Sequence, residues 1–363
     1  MRKLFFYFTF LFIILPSTAG ILLAQNINQS LQQLTETAAR EYLKPVGSGF
    51  GANLNTAWVT RSPKTETAGL DIQLGIVIMG AFMPEDSKSF SVSGNVEFTP
   101  EQADEIVNSV RWEQYNLTAA QRQNAQAELR NLLLQNVFPA KVSGPTVIGS
   151  KNDQVKVVLL ENSYTYQGQQ IFIPQSEFLT NVRGVLENYN ILPFAAPQLT
   201  VGTLFGTQLT LRWVPNVTFD PTIGKVNYFG LGIQHNPLAW LMVPLPVDVS
   251  IGFFWQNLKA GDYLESSATE YGIYASKTFG PAYLNITPYL GYSYQDSKST
   301  VTYKLISTTG LGSTSTNISF DMKGENTSKL LVGLALRLGV INLNFDYNLA
   351  KYSTLGGGVS FIF

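Results

Sequence analysis

Few residues in this 363-residue chain could perform chemistry. The sequence has one histidine, His235, and no cysteine, which excludes a thiol nucleophile, a disulfide framework and a zinc site built from cysteines or paired histidines. A hydrolase that uses a catalytic histidine would depend on His235 alone. Its alternation with Phe229, Leu231 and Ile233 places His235 on an apolar side, a poor position for surface hydrolysis. We therefore expect no catalytic activity, no cofactor and no metal.

A second group of polar residues alternates with apolar ones. Because successive side chains of a strand point to opposite faces, we expect this group to line one polar interior. Its charges are mixed in sign, which disfavours an ion-selective pore and favours paired ions that stabilise the interior. These candidates are Arg212, Asp248, Glu270, Lys329, Arg337, Asn342, Asn344 and Asp346.

The elements that must position these residues are strands. From Ala196 onward apolar and polar residues alternate over segments longer than the usual 5 to 6 residues of a soluble strand. The chain is only 13% charged, so the polar side consists mainly of uncharged residues. The near-equal numbers of basic and acidic residues, 24 and 25, argue against a nucleic-acid-binding face. A soluble sandwich would place the apolar side inward. We predict instead an all-β fold, a transmembrane antiparallel barrel with the apolar side facing lipid.

The predicted barrel has about 12–14 strands. A long strand over Ala282–Ile306 returns through Ser315–Leu338, and the glycines of the sequence GSGFG at 47–51 mark a turn into the first strand. The N-terminal part adds Ser48–Thr60, Leu70–Phe82, Ser89–Phe98 and Gln154–Glu161.

The N-terminus reads as a secretory signal peptide over residues 1–24, because two basic residues precede an apolar stretch too short to span a bilayer as a helix. We therefore expect export to the bacterial outer membrane. Residues 25–46 follow as a helical segment, with the helix over Asn26–Lys44 ended by Pro45, and the barrel occupies 47–363. This helix would either lie in the periplasm or enter the barrel as a plug.

One insertion interrupts the predicted barrel. Residues 99–141 contain two capping-box sequences, Thr99 with Gln102 and Thr118 with Gln121, each of which predicts the start of a helix. We expect this helical insertion on the outer side. Residues 142–197 are rich in glycine, proline and glutamine and are interpreted as an irregular loop or lid.

Aromatic residues support the membrane interpretation. Trp58, Trp213 and Trp255 fall near strand ends, where an aromatic girdle would meet the membrane boundary. Gly358, Phe361 and Phe363 form a terminal pattern similar to the signal by which outer-membrane barrels engage their assembly machinery. The expected partners are thus outer-membrane lipid and the barrel-assembly machinery.

Several segments together resemble an uncharacterised family of outer-membrane β-barrels of Bacteroidota-type bacteria. They are GSGFG at 47–51, AFMPEDSKSF at 81–90, the run beginning at Gly144, and PQLTVG with LRWVP between Pro197 and Pro215. The family is distantly similar to FadL-type channels for hydrophobic compounds. The resemblance implies an outer-membrane barrel and transfers no catalytic residue.

Two functions follow as hypotheses. The first is passive transport of a small hydrophobic or amphipathic compound through a narrow or plugged lumen. The second is a non-transporting structural or accessory barrel that binds other outer-membrane proteins in a surface or secretion complex.

Overall fold

A computed structural model describes residues 35–65, 68–187, 189–220, 224–241, 245–309 and 312–363. The predicted signal peptide and residues 25–34 lie outside the described residues. The described chain forms two compact units. The first contains residues 44–65, 68–85 and 189–363 within those ranges, and the second contains residues 35–43 and 86–187.

The described residues of the two units form seventeen strands and four α-helices. The helices are α1 (Glu36–Leu54), α2 (Pro100–Ser109), α3 (Ala119–Gln135) and α4 (Leu238–Leu241). The strands of the first unit are β1 (Ala68–Phe82), β8 (Ile191–Leu204), β9 (Thr207–Asp220), β10 (Gly224–His235), β11 (Asp248–Ala260), β12 (Leu264–Ser276), β13 (Leu284–Thr309), β14 (Gly312–Lys323), β15 (Ser328–Leu338), β16 (Ile341–Leu349) and β17 (Thr354–Ile362). Those of the second are β2 (Ser89–Val96), β3 (Phe138–Pro145), β4 (Lys156–Leu159), β5 (Asn162–Tyr166), β6 (Gln169–Ile173) and β7 (Ser176–Leu179).

The first unit is a closed antiparallel barrel, which confirms the predicted fold class. Ten strands form the ring in the order β1, β8, β9, β10, β11, β12, β13, β15, β16 and β17, and β17 pairs with β1 to close it. The strand β14 pairs only with the far part of β13, over residues 298–309. The long strand and its return predicted over 282–338 are therefore present, with the return broken between β14 and β15.

The two faces of the barrel wall differ as predicted. Along β16 the odd-numbered residues, such as Phe345, turn outward, whereas the even-numbered residues, such as Asn344, are buried inside. The outward face is exposed and apolar around the ring, for example at Leu74, Ile78, Leu209, Leu231, Ile251, Phe253, Ile273, Leu290, Val332, Phe345 and Val359. Because closure leaves no sheet edge at the β1–β17 junction, the amphipathic strands form a continuous wall there.

The strand count of 12–14 is wrong, because three of the predicted N-terminal strands are not in the ring. Ser48–Thr60 is helix and extended chain, Ser89–Phe98 contains β2, and Gln154–Glu161 contains β4. The last two belong to the second unit. Of the four N-terminal candidates, only Leu70–Phe82 is a barrel strand.

The helix predicted to end at Pro45 continues to Leu54. Proline inside a helix removes one backbone hydrogen bond and is normally costly. The helix tolerates it because its C-terminal half, including Ala52 and Leu54, is buried inside the barrel. The boundary predicted at residues 46 and 47 is replaced by one continuous helix.

The second unit contains an antiparallel sheet in the order β2, β3, β4, β7, a hairpin of β5 and β6, and the helices α2 and α3. Both predicted capping boxes are present, at Thr99 with Gln102 and at Thr118 with Gln121. The interpretation of 142–197 as irregular is wrong, because this stretch contains β4 to β7 and part of β8. These strands are short, and their alternation was therefore too brief to recognise. Within the described residues no helix is long and apolar enough to cross a membrane.

Candidate functional site

The interior of the barrel is the best-defined candidate site, and the chain itself fills much of it. We call residues 44–65 the plug segment; it comprises the C-terminal half of α1 and the extended chain that precedes β1. Residues 51–60 are all buried. The glycines at 49 and 51 let the helix approach the wall, because a Cβ on Gly49 would lie 2.7 Å from Met83 Cε and one on Gly51 would overlap Ser297. The GSGFG sequence thus serves close packing of a helix rather than a turn.

Asn55 joins the plug segment to three strands of the wall. Its side-chain oxygen accepts a hydrogen bond from Gln256 Nε2 at 2.5 Å, and its amide nitrogen donates to Gln295 Oε1 at 3.2 Å. The ammonium group of Lys329 donates to the Asn55 carbonyl. One buried residue is therefore fixed from β11 and β13 through its side chain and from β15 through its backbone carbonyl.

Arg212 binds the next residues of the plug segment. Its guanidinium donates from Nη1 to the Thr56 carbonyl at 2.9 Å and from Nη2 to the Ala57 carbonyl at 2.5 Å. The same group lies 3.8 Å from the centre of the Trp58 ring, a cation–π geometry. The planar guanidinium is suited to such combined contacts because it donates in a fork and stacks on aromatic faces.

Trp58 and the following residues complete the attachment. The Trp58 ring stacks on Phe254 with centroids 5.2 Å apart, and its indole nitrogen donates to the Leu54 carbonyl at 2.8 Å. Farther along, the Ser62 amide donates to Ser276 Oγ at 2.9 Å. Asn236 Nδ2 donates to the Pro63 carbonyl at 2.7 Å. The plug segment is thus held along its length.

A buried ion pair lies beside Asn55. The Lys329 ammonium nitrogen is 3.0 Å from Glu270 Oε2, and both side chains are almost wholly removed from solvent. Two buried charges are tolerated when they compensate each other and receive further hydrogen bonds. Glu270 also accepts a hydrogen bond from the Tyr274 hydroxyl at 2.8 Å, and Lys329 donates to the plug.

Another part of the interior is apolar. Leu54 and Ala57 of the plug segment pack in a buried cluster with wall residues Val77, Met79, Ala196, Val214, Tyr228, Leu258 and Ala268. Phe50 and Phe194 pack against its margin. We call this set the apolar cluster. The interior therefore combines a polar region around Asn55 and Arg212 with an apolar one around Leu54.

The predicted interior residues do not form one cluster. Arg212, Glu270 and Lys329 meet at the plug segment, and Asp346 on the inner face of β16 lies close enough to interact electrostatically with all three. Asn342 and Asn344 are buried on the same inner face of β16. Asp248 and Arg337 are only partly buried, and Arg337 donates to the Gly339 carbonyl at a turn. Sequence reasoning missed Asn55, Gln256 and Gln295, which carry no distinguishing local pattern.

Two of the three tryptophans predicted to form a girdle lie on the outward face, but each is near the middle of its strand rather than at its end. Their role at a membrane boundary stays a prediction. Trp213 is 57% exposed and Trp255 is 42% exposed, both on the outward face. The prediction for Trp58 is wrong, because this residue is buried against Phe254 and Arg212. Trp58 was expected at the end of a strand over Ser48–Thr60, but these residues belong to the plug segment and form no strand.

His235 lies at the turn end of β10. Thr207 Oγ1 is 3.0 Å from His235 Nδ1, and the Trp240 indole nitrogen donates to Nε2 at 3.0 Å. Both ring nitrogens thus have partners. No group of three or more histidine, cysteine, aspartate or glutamate residues in the described part of the chain could hold a metal ion.

Gly358 and Phe361 of the terminal pattern lie in β17, and Phe363 follows its end. Phe361 and Phe363 have exposed side chains, and Gly358 lies opposite Asn344, where a Cβ would come within 2.5 Å of the Asn344 side-chain oxygen. The role of these residues in barrel assembly stays a prediction.

The second unit contains a cleft of about 660 Å³. Apolar side chains of Phe98, Val142 and Val157 line it together with polar residues such as Asn95 and Gln102. Nearby, Arg130 Nε donates to Asp104 Oδ1 at 2.5 Å between α3 and α2, and this hydrogen bond lowers the pKa of Asp104. This pair joins the two helices on the surface of the unit.

Comparison with known proteins identifies a family but no activity. The model of the family of unknown function DUF6588 matches residues 1–363. No curated protein matches the chain.

Similar solved structures are outer-membrane proteins. A loop-deletion form of OmpT, an outer membrane protein of Vibrio cholerae, is 11% identical, with 82% of this chain and 100% of that chain covered and a TM-score of 0.22. A porin is 10% identical over 81% of this chain and 99% of its own, with a TM-score of 0.19. The FrpB iron transporter from Neisseria meningitidis is 9% identical, with 79% of this chain and 55% of that chain covered and a TM-score of 0.18. At these TM-scores the likeness supports no argument about function.

Proposed function

This chain belongs to DUF6588, a family of unknown function, and we propose that it is an outer-membrane β-barrel that is closed by its own plug segment and does not transport. Its second unit would then provide the surface that meets other outer-membrane proteins. The hypothesis of a structural or accessory barrel is therefore preferred to that of a channel.

The observation that supports this proposal is the attachment of residues 44–65 inside the barrel. A transport pathway would require the contacts of Asn55, the Arg212 hydrogen bonds and the Trp58 stack to be broken together. Removing hydrogen-bonding partners from buried groups costs about 1–3 kcal/mol for each group left unsatisfied. A ten-stranded barrel is also narrower than the 16- to 18-stranded porins that leave a free aqueous channel.

Membrane insertion is supported by the exposed apolar face of the wall. Apolar side chains on the outside and buried polar ones on the inside match the arrangement of outer-membrane barrels. Outer-membrane lipid is thus the proposed surrounding, with assembly through the pattern Gly358, Phe361 and Phe363. Export through the predicted signal peptide, and kinship with FadL-type channels or with Bacteroidota proteins, remain predictions.

Passive transport of a small hydrophobic compound is the alternative, and the apolar cluster is the feature that favours it. Liposome-swelling and planar-bilayer conductance measurements on the full chain distinguish the two functions. We expect no uptake of fatty acids or small sugars and no steady ion conductance. Measurable uptake by the unmodified protein would contradict the closed barrel and favour transport.

We further propose that the protein is not an enzyme. His235 is engaged through both ring nitrogens on the outward side of the barrel, away from the interior polar residues. If any hydrolysis is detected, a His235→Ala variant that retains it would exclude a histidine mechanism, and one that loses it would revive the hydrolase hypothesis.

A further inference from the structure

The backbone pairing between two neighbouring strands of the barrel wall is incomplete. The pairing of β8 with β9 stops at Gln198 and Arg212. Beyond that point β8 continues to Ile191 along β1, and β9 continues to Asp220 along β10. We call the facing stretches 191–197 and 213–220 the seam.

Three prolines occupy the seam. The Met83 amide donates to the Asn190 carbonyl, so the even-numbered residues of β8 form their backbone hydrogen bonds with β1. The backbone N–H and C=O groups of the odd-numbered residues therefore point toward β9. Pro193 and Pro197 are therefore at positions that would donate across the seam, and Pro215 lies on β9 where the register with β10 shifts. A backbone N–H group that faces lipid has no hydrogen-bond acceptor. Because proline has no N–H group, these three positions carry no such unsatisfied donor.

The prolines also decide what can occupy the seam. A strand from another chain would need donors on alternate residues to extend the sheet. Since Pro193, Pro197 and Pro215 supply none, strand addition is disfavoured. A ligand without hydrogen-bonding requirements is compatible with this edge.

The side chains behind the seam are apolar. Phe194 meets Tyr228 edge to face, with centroids 5.2 Å apart, and Ala196 and Val214 are buried in the apolar cluster. On the outside, Trp213 and Ile78 are exposed at neighbouring levels. The seam thus connects the outward apolar face with the apolar part of the interior.

We propose that the seam is a binding site for an acyl chain of a membrane lipid, which inserts between β8 and β9 and contacts Phe194 and Val214. The inference rests on the proposed membrane insertion, and it goes beyond the closed-barrel function. The plug segment keeps the lumen filled, while the lipid chain occupies the wall where the backbone ladder is missing.

Photolabelling tests this site. The full chain is reconstituted in phosphatidylcholine vesicles that contain a phosphatidylcholine with a diazirine on its acyl chain, and adducts are assigned to residues by mass spectrometry. We expect adducts on Phe194 and Val214. The outward Phe345 is the positive control, and the buried Leu331, on a strand paired on both sides, is the negative control.

The controls separate two failures. Adducts on Phe345 without adducts on Phe194 and Val214 would overturn the seam site and leave membrane insertion intact. Absence of adducts on Phe345 would contradict membrane insertion and the site together.

A blocking variant gives a second test. Ala195→Trp places an indole over the seam from the outside, and Ile78→Trp, at the paired position on β1, is the matched control. We expect Ala195→Trp to lose most of the labelling of Phe194 and Val214, and Ile78→Trp to retain it. Equal labelling in both variants, or a crosslink to a second chain through the seam in place of lipid adducts, would refute the proposal.

Discussion

The Lys329–Glu270 ion pair shows how single residues hold the plug segment. Both charges are buried, 3.0 Å apart, and Lys329 also donates to the Asn55 carbonyl. The sequence predicted that the interior charges would be paired. It did not predict the pairing of these two residues, because their strands, β12 and β15, are not consecutive in the chain and are brought close only by pairing on opposite sides of β13.

The first prediction concerns this pair. Lys329→Met leaves Glu270 as an uncompensated buried charge and should lower the free energy of unfolding by about 3–5 kcal/mol. Adding Glu270→Gln should recover most of that loss. Denaturant unfolding in detergent measures both variants, and equal stability of the single and double variants would contradict a compensating pair.

Glu325 is an acidic residue of the barrel that lies beside Lys44, the first residue of the plug segment. It lies between β14 and β15, accepts a hydrogen bond from Lys351 at 2.7 Å and has Lys44 Nζ 3.6 Å away. Partial burial raises the pKa of Glu325, but the Lys351 hydrogen bond and the two ammonium charges outweigh it. The pKa of this carboxyl therefore lies below its ordinary value of 4.5.

The second prediction follows from that direction. Because the pKa is lower in the folded state, the stabilisation is complete above pH 4.5 and is lost as the pH falls through the lowered value. Glu325→Gln should be less stable than the unmodified chain at pH 7, by less than about 1 kcal/mol because the groups are partly exposed. Unfolding measured from pH 7 to 3 should show this difference disappearing, and a difference independent of pH would exclude the ionic contribution.

At the scale of elements, the part of α1 that lies in the plug segment depends on glycines, which leave room for the helix to approach the wall. Gly51 lies against Ser297 with no room for a Cβ. Ordinary sequence signals point elsewhere, since Pro45 indicates a helix end and three glycines within five residues indicate a turn. Burial inside the barrel overrides both signals, so the helix ends at Leu54, ten residues beyond the predicted end at Lys44.

The third prediction tests the fit of that helix. Gly51→Leu should displace the plug segment from the wall and produce ion conductance in planar bilayers. Gly94→Leu is the matched control, because a Cβ at Gly94 meets nothing within 4 Å. Conductance from both variants, or from neither, would argue against a lumen closed by packing of the plug.

The strands that could be predicted are those with long alternation. Lys329–Leu338 and Ile341–Leu349 were recognised because their apolar and polar residues alternate over nine or more positions. The strands β4 and β7 have four residues each and give too little pattern to assign. Whole elements were therefore predictable in the barrel and much less so in the second unit.

At the scale of the whole molecule, the barrel and its two-faced wall follow from the sequence, but the filled interior does not. The plug contacts join residues as far as 298 positions apart, as between Thr56 and Thr354, and Asn55, Thr56 and Ala57 form no periodic pattern. Mixed interior charges were consistent with either a channel or a closed barrel. Only the position of residues 44–65 distinguishes them, and it favours the closed barrel.

The most direct test of this account is a spin-label scan of β16 in the vesicle-reconstituted full chain. Because the sequence contains no cysteine, a single cysteine can be introduced and spin-labelled at each position from Ile341 to Leu349. Odd-numbered positions should be accessible to lipid-soluble oxygen, and even-numbered positions should be protected both from oxygen and from a water-soluble nickel chelate. Even-numbered positions open to the chelate would contradict a lumen filled by the plug segment, and odd-numbered positions protected from oxygen would contradict a wall that faces lipid.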